Sequence, residues 1–321
     1  MSVAGLGCGG FSRLGLGTGK TEAEATLLVR QALELGINLI DTAPSYDTEG
    51  VVGKALKSVP RRSIVLATKV VICSGDEWFT PDRVVESLDN SLRQLGTDYI
   101  DVLQLHGVHL AEYDYALNTI VPALIKEQAK GKFRYLGITE APSDDAKHEM
   151  LQYATQDDVW DVTMVAFHLM HQNARSVVFP QTMAKRVGTL LMFAVRNIFA
   201  HSDRLRTIMR DLAATGRVEK WLAEAADPLG FLLHEDGAKT ITEAAYRFAR
   251  HEPGVDVVLF GTGDPDHLRT NIASLLKPAL PDSDRQQLSA LFGHLTGIGL
   301  DLPPHKIARN NGPGAILMHP Q

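Results

Sequence analysis

The sequence predicts a single-domain (β/α)8 barrel, also called a TIM barrel, of the α/β class. Apolar runs of strand length alternate with helical patterns from Val3 to Leu276, and eight such runs can be counted. No low-complexity linker or shift in composition divides the 321 residues, and α/β barrels of this length are commonly one domain. Chemically active side chains end several of these runs, which is where such barrels keep their catalytic groups.

Helical segments separate most of the apolar runs. An open, doubly wound sheet is the alternative fold, because alternation of strands and helices does not by itself show closure. The tail over 301–321, rich in Pro, Gly and Asn, is expected to be irregular. The expected strands are Val3–Cys8, Ile37–Asp41, Ile64–Lys69, Tyr99–His106, Arg134–Thr139, Asp161–His168, Thr189–Val195 and Val255–Phe260.

Capping residues and periodicity place the helices. Thr21 and Glu24 form a capping box that opens the first helix, and Gly36 ends it. Thr80 caps a second long helix, with Pro81 at its first helical position. The other helical segments are expected at 49–57, before Gly131, after Ser143, at 174–187, 202–214 and 241–251, and from Asp264 toward Leu276.

Composition and charge exclude several classes of function. A formal net charge of -6 provides no positive surface for nucleic acid or an anionic membrane. Cys8 and Cys73 are the only cysteines, so no disulfide framework is expected and a reducing compartment suits the chain. The first residues lack the pattern of a signal peptide, and no apolar stretch approaches the roughly 20 residues that cross a bilayer. We therefore expect a cytoplasmic protein.

Two glycine-rich segments near the N-terminus superficially match nucleotide-binding loops. Segment 15–21 ends in Gly-Lys-Thr, but Leu14 stands where the phosphate-binding loop needs its first glycine. Segment 5–10 fits G-x-G-x-x-G, but no helix follows at once and no acidic residue ends a second strand about 20 residues on. Both are interpreted as tight loops. The pairs His106/His109 and His168/His171 lack a third ligand nearby, so no metal site is expected.

Four polar residues, Asp41, Tyr46, Lys69 and His106, accompany three consecutive apolar runs. If those runs are neighbouring strands, the four side chains meet at one rim of the barrel. A structural Asp–Lys pair is the alternative, but lysine is an unusual end for so apolar a strand. An ammonium lowers the pKa of a nearby phenol, a carboxylate keeps that ammonium charged, and an imidazole can hold a substrate oxygen. This group suits protonation of a carbonyl oxygen while hydride reaches the carbon.

The segments around these residues resemble the aldo-keto reductases. The matching segments are Asn38–Tyr46, Ala67–Lys69, Leu95–His106 and Gly131–Thr139, within a similarity over residues 3–276. The resemblance implies a (β/α)8 barrel and a nicotinamide-dependent carbonyl reductase or alcohol dehydrogenase. It also implies that Tyr46 is the general acid/base, that Lys69 and Asp41 tune it, and that His106 orients the carbonyl or relays the proton.

The same resemblance implies NAD(P)(H) as the cofactor. Thr139 and Glu140 stand where the family has a hydroxyl residue and Asn against the carboxamide, and Met164 stands where it has Gln. Phe193 or Met192 is the candidate to stack on the nicotinamide. The glycine loop after the eighth strand feeds a helix N-terminus, where the family holds the adenosine phosphate. The expected cofactor contacts are Thr139, Glu140, Met164, Phe193, Arg196, Gly261, Thr262, Gly263, Arg269 and Asn271.

Charge near this loop favours NAD over NADP. Many NADP-specific members of the family carry Lys and Arg there, whereas this chain has Gly261 and His267 beside Asp264 and Asp266. A ribose 2′-phosphate would meet fewer cations at this point, although Arg196 or Arg269 would reverse the preference by reaching it.

The turn Gly137–Pro142 is similar to that of the branch containing sugar dehydrogenases such as L-galactose dehydrogenase, which implies a cyclic sugar or lactol as one candidate substrate. The expected substrate contacts are Trp78, His109 and His168. The expected function is NAD(P)(H)-dependent interconversion of an aldehyde, ketone or aldose with an alcohol, in a monomer or small homo-oligomer. The alternative is a catalytically weak, cofactor-binding partner protein on the same barrel, like the potassium-channel β subunits.

Overall fold

The chain folds into a closed barrel of eight parallel strands, which confirms the predicted fold class. The computed structural model describes residues 1–300, and the tail expected to be irregular over 301–321 lies outside them. The first strand pairs with both the second and the last, so the barrel has no open edge. The barrel strands are β1 Ala4–Gly7, β2 Leu39–Asp41, β3 Val65–Val70, β6 Ile100–Val108, β7 Phe133–Glu140, β8 Val162–Ala166, β9 Gly188–Met192 and β10 Val257–Phe260, and β4 Cys73–Ser74 with β5 Glu77–Trp78 forms a separate hairpin.

Helices connect the strands, and most of them begin and end close to the positions that the sequence predicts. The capping box is present, since the Thr21 hydroxyl accepts from the Glu24 backbone and the Glu24 carboxylate accepts from the Thr21 backbone. No helix within residues 1–300 is both long and apolar enough to traverse a lipid bilayer. The helices are α1 Glu22–Glu34, α2 Glu49–Leu56, α3 Pro81–Leu95, α4 Tyr113–Tyr115, α5 Val121–Ala129, α6 Glu149–Ala154, α7 Ala174–Val177, α8 Phe179–Lys185, α9 Asn197–Ala200, α10 Ser202–Ala214, α11 Lys220–Glu224, α12 Ile241–Arg250, α13 Pro265–Leu275 and α14 Asp282–Phe292.

Two helices differ from the sequence-based expectation for backbone reasons. The segment 174–187 is not one helix but α7 and α8, divided at Val178, with a proline in the first turn of α8. The helix expected directly after Ser143 begins only at Glu149, because His148 adopts a left-handed φ of 59° that a helix cannot contain. Neither interruption alters the order of the barrel strands.

Side chains fill the barrel interior, so the barrel is a packed core and not a channel. Gly5 lies against a buried apolar layer, where an added Cβ would come within 2.7 Å of carbons from two leucines. Because side chains alternate along a strand, Asp41 faces the interior like Leu39, one layer nearer to the C-terminal rim. The apolar layer therefore forms the floor beneath the polar site, and its members are Leu39, Met164, Leu190, Val257 and Leu259.

Candidate active site

A buried ion pair lies at the centre of the candidate site. The Lys69 ammonium donates to both carboxylate oxygens of Asp41, each at 2.7 Å, and to the carbonyl oxygen of Thr42 at 2.9 Å. Asp41 and Lys69 expose only 3% and 1% of their surface. Burial of either charge alone would be costly, so each residue requires the other. The three hydrogen bonds hold the ammonium in one position.

Tyr46 lies beside this ion pair in the loop after β2. The Lys69 ammonium is 4.9 Å from the centroid of the Tyr46 ring. The short 3-10 helix Pro44–Tyr46 opens with a proline, whose fixed φ suits that position. A hydrogen bond of 2.9 Å between the Thr42 and Thr48 hydroxyls joins the two ends of the loop. Tyr46 is therefore carried by a constrained loop next to the ammonium.

Gly9, in the loop after β1, provides the space that the Tyr46 ring occupies. A Cβ at Gly9 would lie 2.8 Å from ring carbons Cε2 and Cζ of Tyr46, a distance that packed atoms do not tolerate. The glycine-rich segment 5–10 therefore has packing roles at Gly5 and Gly9. No local sequence motif marks Gly9. Glycine is needed there because of the Tyr46 side chain, which lies 37 positions further along the chain.

His106, near the end of β6, completes the group of four. Its Nε2 lies 3.4 Å from the phenol oxygen of Tyr46, and the two rings meet edge to face with centroids 5.5 Å apart. Gly107 follows with a φ of 62° and donates its amide N–H to the Thr139 hydroxyl at 2.6 Å. Thr139, on the neighbouring β7, thus fixes the backbone next to His106. The structure brings together all four residues of the predicted catalytic group.

Burial and charge act in opposite directions on these ionisable groups. Burial raises the pKa of Asp41, while Lys69 and Gln104 oppose the rise by stabilising the carboxylate. Burial lowers the pKa of Lys69, but Asp41 raises it above its ordinary value, so the ammonium stays charged. Burial raises the pKa of Tyr46 by more than Lys69 lowers it, which reverses the net lowering expected from sequence. The phenol is therefore protonated at neutral pH, as a proton donor must be.

The glycine loop after β10 packs closely against the N-terminal loops. A Cβ at Gly261 would lie 3.2 Å from the carbonyl oxygen of Gly7, and one at Gly263 would lie 2.5 Å from Cα of Gly15. The loop continues through the buried Thr262 into α13, an eleven-residue helix. Backbone N–H groups at such a helix end attract anions. The binding of a dinucleotide phosphate at this loop stays a prediction.

The first turn of α13 already carries an anion of its own. Asp264 caps the helix, and its Oδ1 accepts from the amides of Asp266 and His267 at 2.8 Å and 2.9 Å. Arg269, one turn further on, pairs with Asp266 at 3.0 Å and has a side chain that is 57% exposed. Asn271 is buried on the same helix. The Asp264 carboxylate therefore already binds the backbone amides at this helix end, and the Asp266 carboxylate already pairs with Arg269.

Phe193 follows β9 in a left-handed conformation, with a φ of 71° that is costly for a bulky residue. The guanidinium of Arg196 lies 4.0 Å from the centroid of the Phe193 ring, and its Nε donates to the Gly299 carbonyl at 2.6 Å. Backbone strain of this kind persists where the surrounding structure imposes it, often at ligand sites. The assignment of Phe193 to the nicotinamide stays a prediction.

Two expected cofactor contacts have other roles in the structure. The fully buried Glu140 accepts from the Ala166 amide at 2.7 Å and pairs with Nδ1 of His148 at 2.7 Å. It faces the surrounding helices because side chains alternate along β7 and Thr139 faces the interior. Met164 belongs to the apolar layer beneath the site. Both residues contribute to the packing of the barrel, and their contact with the carboxamide stays a prediction.

The three expected substrate residues lie in different environments. His168 is fully buried with its ring edge-on to Phe199, and its contact with substrate stays a prediction. Trp78 is 45% exposed on the β4–β5 hairpin. His109 has a side chain that is 43% exposed, with Nε2 3.9 Å from Asp144. Trp78 and His109 remain accessible, and their contact with substrate stays a prediction.

His148 pairs with the buried Glu140, and its Nε2 lies 3.2 Å from Oδ1 of Asn173. We therefore expect the free energy of unfolding to depend strongly on this side chain. His148→Ala leaves the Glu140 carboxylate buried without its partner, so we expect the free energy of unfolding to fall by about 3 kcal/mol. Urea denaturation measures the change. The exposed His109→Ala is the matched control, with an expected change within about 0.5 kcal/mol. Equal losses in the two variants would contradict the buried-pair assignment.

His168 and His171 lie close together in the core. Within residues 1–300, no group of three or more His, Cys, Asp and Glu side chains is arranged to hold a metal ion. The rings of His168 and His171 are 5.7 Å apart between centroids. Burial lowers the pKa of His171 to about 3 and that of His168 well below its ordinary value, so both rings are neutral at physiological pH.

Gln104 belongs to the site although it lies in no recognised catalytic pattern. It is fully buried on β6, and its Nε2 donates to Oδ1 of Asp41 at 3.3 Å. The available signal is positional, because the residue two places before His106 on a strand faces the same interior. Gln104 therefore adds a second donor to the carboxylate that holds Lys69.

The sequence profile of the Aldo/keto reductase family matches residues 5–292 of the chain. The chain belongs to this family. The aldo-keto reductase is 39% identical to L-galactose dehydrogenase of Arabidopsis thaliana over 128 residues, which are 38% of this chain and 40% of that protein. It is 32% identical to the NADH-specific methylglyoxal reductase of Escherichia coli (strain K12) over 175 residues, 46% of this chain and 53% of that protein.

A solved structure agrees with the barrel of this aldo-keto reductase. The holo form of an aldo-keto reductase from Bacillus halodurans superposes with a TM-score of 0.67 at 24% identity, covering 91% of this chain and 92% of that one. At this identity the similarity concerns the fold. The two alignments to the curated relatives cover 40% and 53% of those proteins' own lengths. Family membership makes the chain an oxidoreductase and leaves its substrate to be argued from the site.

Proposed function

We propose that this aldo-keto reductase interconverts an aldehyde, ketone or aldose with the corresponding alcohol, using NAD(P)(H) and Tyr46 as the general acid/base. One observation supports this most directly. The Lys69 ammonium is held by both oxygens of Asp41 and lies beside the Tyr46 ring, and His106 Nε2 lies 3.4 Å from the phenol oxygen. This arrangement supplies a proton donor, a cation for the resulting phenolate and a hydrogen-bonding group for the substrate oxygen.

Each residue has a separate part in the proposed reaction. When bound, the nicotinamide supplies or accepts the hydride. Tyr46 donates its proton to the carbonyl oxygen, and the Lys69 ammonium stabilises the phenolate that forms. His106 holds the same oxygen close to the phenol. In alcohol oxidation the Tyr46 phenolate takes the proton back, since both directions pass through the same transition state.

We propose NAD as the favoured cofactor. The Asp264 carboxylate occupies the helix amides, and Arg269 is paired with Asp266, so a ribose 2′-phosphate would meet negative charge at the start of α13. The E. coli relative, by its name, is specific for NADH. This specificity in a relative supports the proposal.

Asp264→Ser tests the electrostatic argument. Serine keeps an N-cap hydroxyl but removes the carboxylate, so we expect the ratio of the NADPH and NADH dissociation constants to fall about three- to tenfold. Fluorescence titration with each nucleotide measures the ratio. Asp203→Ser on α10, whose side chain is 92% exposed, is the control and leaves the ratio unchanged. Tighter binding of NADPH than NADH by the unaltered enzyme would contradict the NAD preference.

A turnover assay tests the function itself. Loss of NADH absorbance with methylglyoxal, other aldehydes and ketones tests reduction, and formation of NADH from L-galactose and other aldoses tests oxidation. Steady turnover of any of these that Tyr46→Phe removes supports the proposal. Nucleotide binding without turnover across the panel would instead favour a cofactor-binding partner protein.

We also propose a cytoplasmic location, with which the free thiols of Cys8 and Cys73 are consistent.

A further inference from the structure

Gln104 occupies the barrel interior between Lys69 and the glycine of the next strand. Its register partners are Lys69 on β3 and Gly137 on β7. Lys69 and Gln104 therefore stand side by side, and both donate to Oδ1 of Asp41, at 2.7 Å and 3.3 Å. The second oxygen of Asp41 receives only Lys69 among the hydrogen bonds of residues 1–300. Gln104 thus adds its donor to one specific side of the carboxylate.

This placement costs stability. The Oε1 of Gln104 is buried and has no hydrogen-bond partner within the described part of the chain, and a buried acceptor without a donor is destabilising. The neighbouring Gly137 is needed as well, because a Cβ there would lie 2.9 Å from Cγ of Gln104 and 2.9 Å from the carbonyl oxygen of Val162. Glycine within a strand weakens it. An apolar side chain at position 104 would avoid the unpaired oxygen.

We propose that Gln104 is a positioning residue for proton transfer, which fixes the Asp41 carboxylate so that Lys69 is aimed at Tyr46. The inference rests on the proposed function, in which Tyr46 transfers the proton. Gln104 is assigned no direct part in the proton transfer. Its effect passes through Asp41, whose burial otherwise disfavours the charged form.

Gln104→Met tests the proposal, because methionine has a similar length and no polar atom to leave unpaired. We expect kcat for aldehyde reduction to fall roughly tenfold, the scale of a hydrogen bond to a charged group, with KM little changed. Asp41 then protonates more readily, so the acidic limb of the kcat–pH profile moves to higher pH. The midpoint of thermal unfolding changes little, since loss of the donor to the buried carboxylate and removal of the unpaired oxygen act in opposite directions.

Other charges near Asp41 are held constant in this test. The ionisable groups that act on Asp41 or on Lys69 are Lys69 itself from β3, Tyr46 from the loop after β2, the Cys8 thiol from the end of β1 and the Glu49 carboxyl from α2. None of them is altered by the substitution. A shift of the acidic limb is therefore assigned to the lost amide donor.

Gln172→Met is the matched control, because this buried glutamine lies outside the site and has a satisfied amide. Its Nε2 donates to the carbonyls of Leu169 and Leu288, and its Oε1 accepts from Arg175. We expect a lower unfolding midpoint and an unchanged pH profile for this variant. The contrast separates loss of a structural hydrogen bond from loss of a positioning one.

The outcomes decide between the two roles. A Gln104→Met enzyme with unchanged kcat and pH profile overturns the proposal, and so does one whose lower kcat accompanies a lower unfolding midpoint without a shifted acidic limb. Tyr46→Phe is assayed in parallel. If Tyr46→Phe keeps full turnover, the proposed function fails. If Tyr46→Phe is inactive while Gln104→Met behaves as the unaltered enzyme, only the positioning role fails.

Discussion

Tyr46→Phe is expected to lower kcat for carbonyl reduction by about 10²- to 10⁴-fold, the usual contribution of a general acid. The substitution removes only the phenol oxygen, which faces His106 Nε2 at 3.4 Å. The ring itself continues to pack against Gly9 and beside Lys69. Nucleotide affinity and thermal stability should therefore change little. Steady-state kinetics with methylglyoxal, together with NADH titration and thermal unfolding, measure these three effects.

Tyr135→Phe provides the matched control for the loss of a phenol oxygen. Tyr135 is on the same barrel but is 53% exposed near the N-terminal end of β7, away from the candidate site. We expect unchanged turnover from this variant. Full activity of Tyr46→Phe on every substrate of the unaltered enzyme would remove Tyr46 from the reaction. Loss of nucleotide binding together with turnover would instead indicate that the loop after β2 had been disturbed.

The proximity of the four candidate residues could be predicted because strand topology forces them together. Asp41 and Lys69 end consecutive apolar runs, and parallel neighbours in a barrel must present such residues at one rim. Tyr46 follows only five positions after Asp41, so the same loop carries it. The location of these residues depends on local sequence and on the fold class alone. Local sequence and fold class can both be inferred without knowing how the side chains pack.

The environments of Glu140 and His168 were harder to predict because they depend on which face a residue presents. Glu140 follows Thr139 directly, and a single-residue step along a strand turns it from the interior to the surrounding helices. His168 lies beyond the end of β8, where its burial is set by Phe199 from a distant helix. Neither effect leaves a mark in the local sequence pattern.

The largest omission, Gln104, has a similar cause. In sequence, the glutamine only interrupts an apolar run. Its hydrogen bond to Asp41 depends on a residue from another strand, so it becomes visible only in the folded structure. The left-handed backbone at Phe193 is comparable, since nothing about phenylalanine predicts a φ of 71°. In both cases a local preference is overridden by a contact or constraint from elsewhere in the fold.

Lys69→Met is expected to damage both turnover and stability. Turnover falls by at least about 10²-fold, because the Tyr46 phenolate loses its cation and the proton transfer loses its stabilisation. Stability falls by about 3–5 kcal/mol, because the Asp41 carboxylate is left buried without its partner. Steady-state kinetics and urea denaturation at neutral pH measure the two losses. Lys54→Met, whose side chain is 55% exposed, is the control with little change in either.

The pH dependence and a second substitution separate the two roles of Lys69. Without the ammonium, the pKa of Asp41 in the folded protein rises further above its unfolded value near about 3.9. The stability deficit is then present above that unfolded value and is relieved as the pH falls toward it. Adding Asp41→Asn removes the unpaired charge, so Lys69→Met/Asp41→Asn should recover most of the stability at pH 7 and none of the turnover. Recovered turnover in the double variant would show that Lys69 acts only by neutralising Asp41. Recovered stability without turnover would show that the ammonium stabilises the Tyr46 phenolate itself.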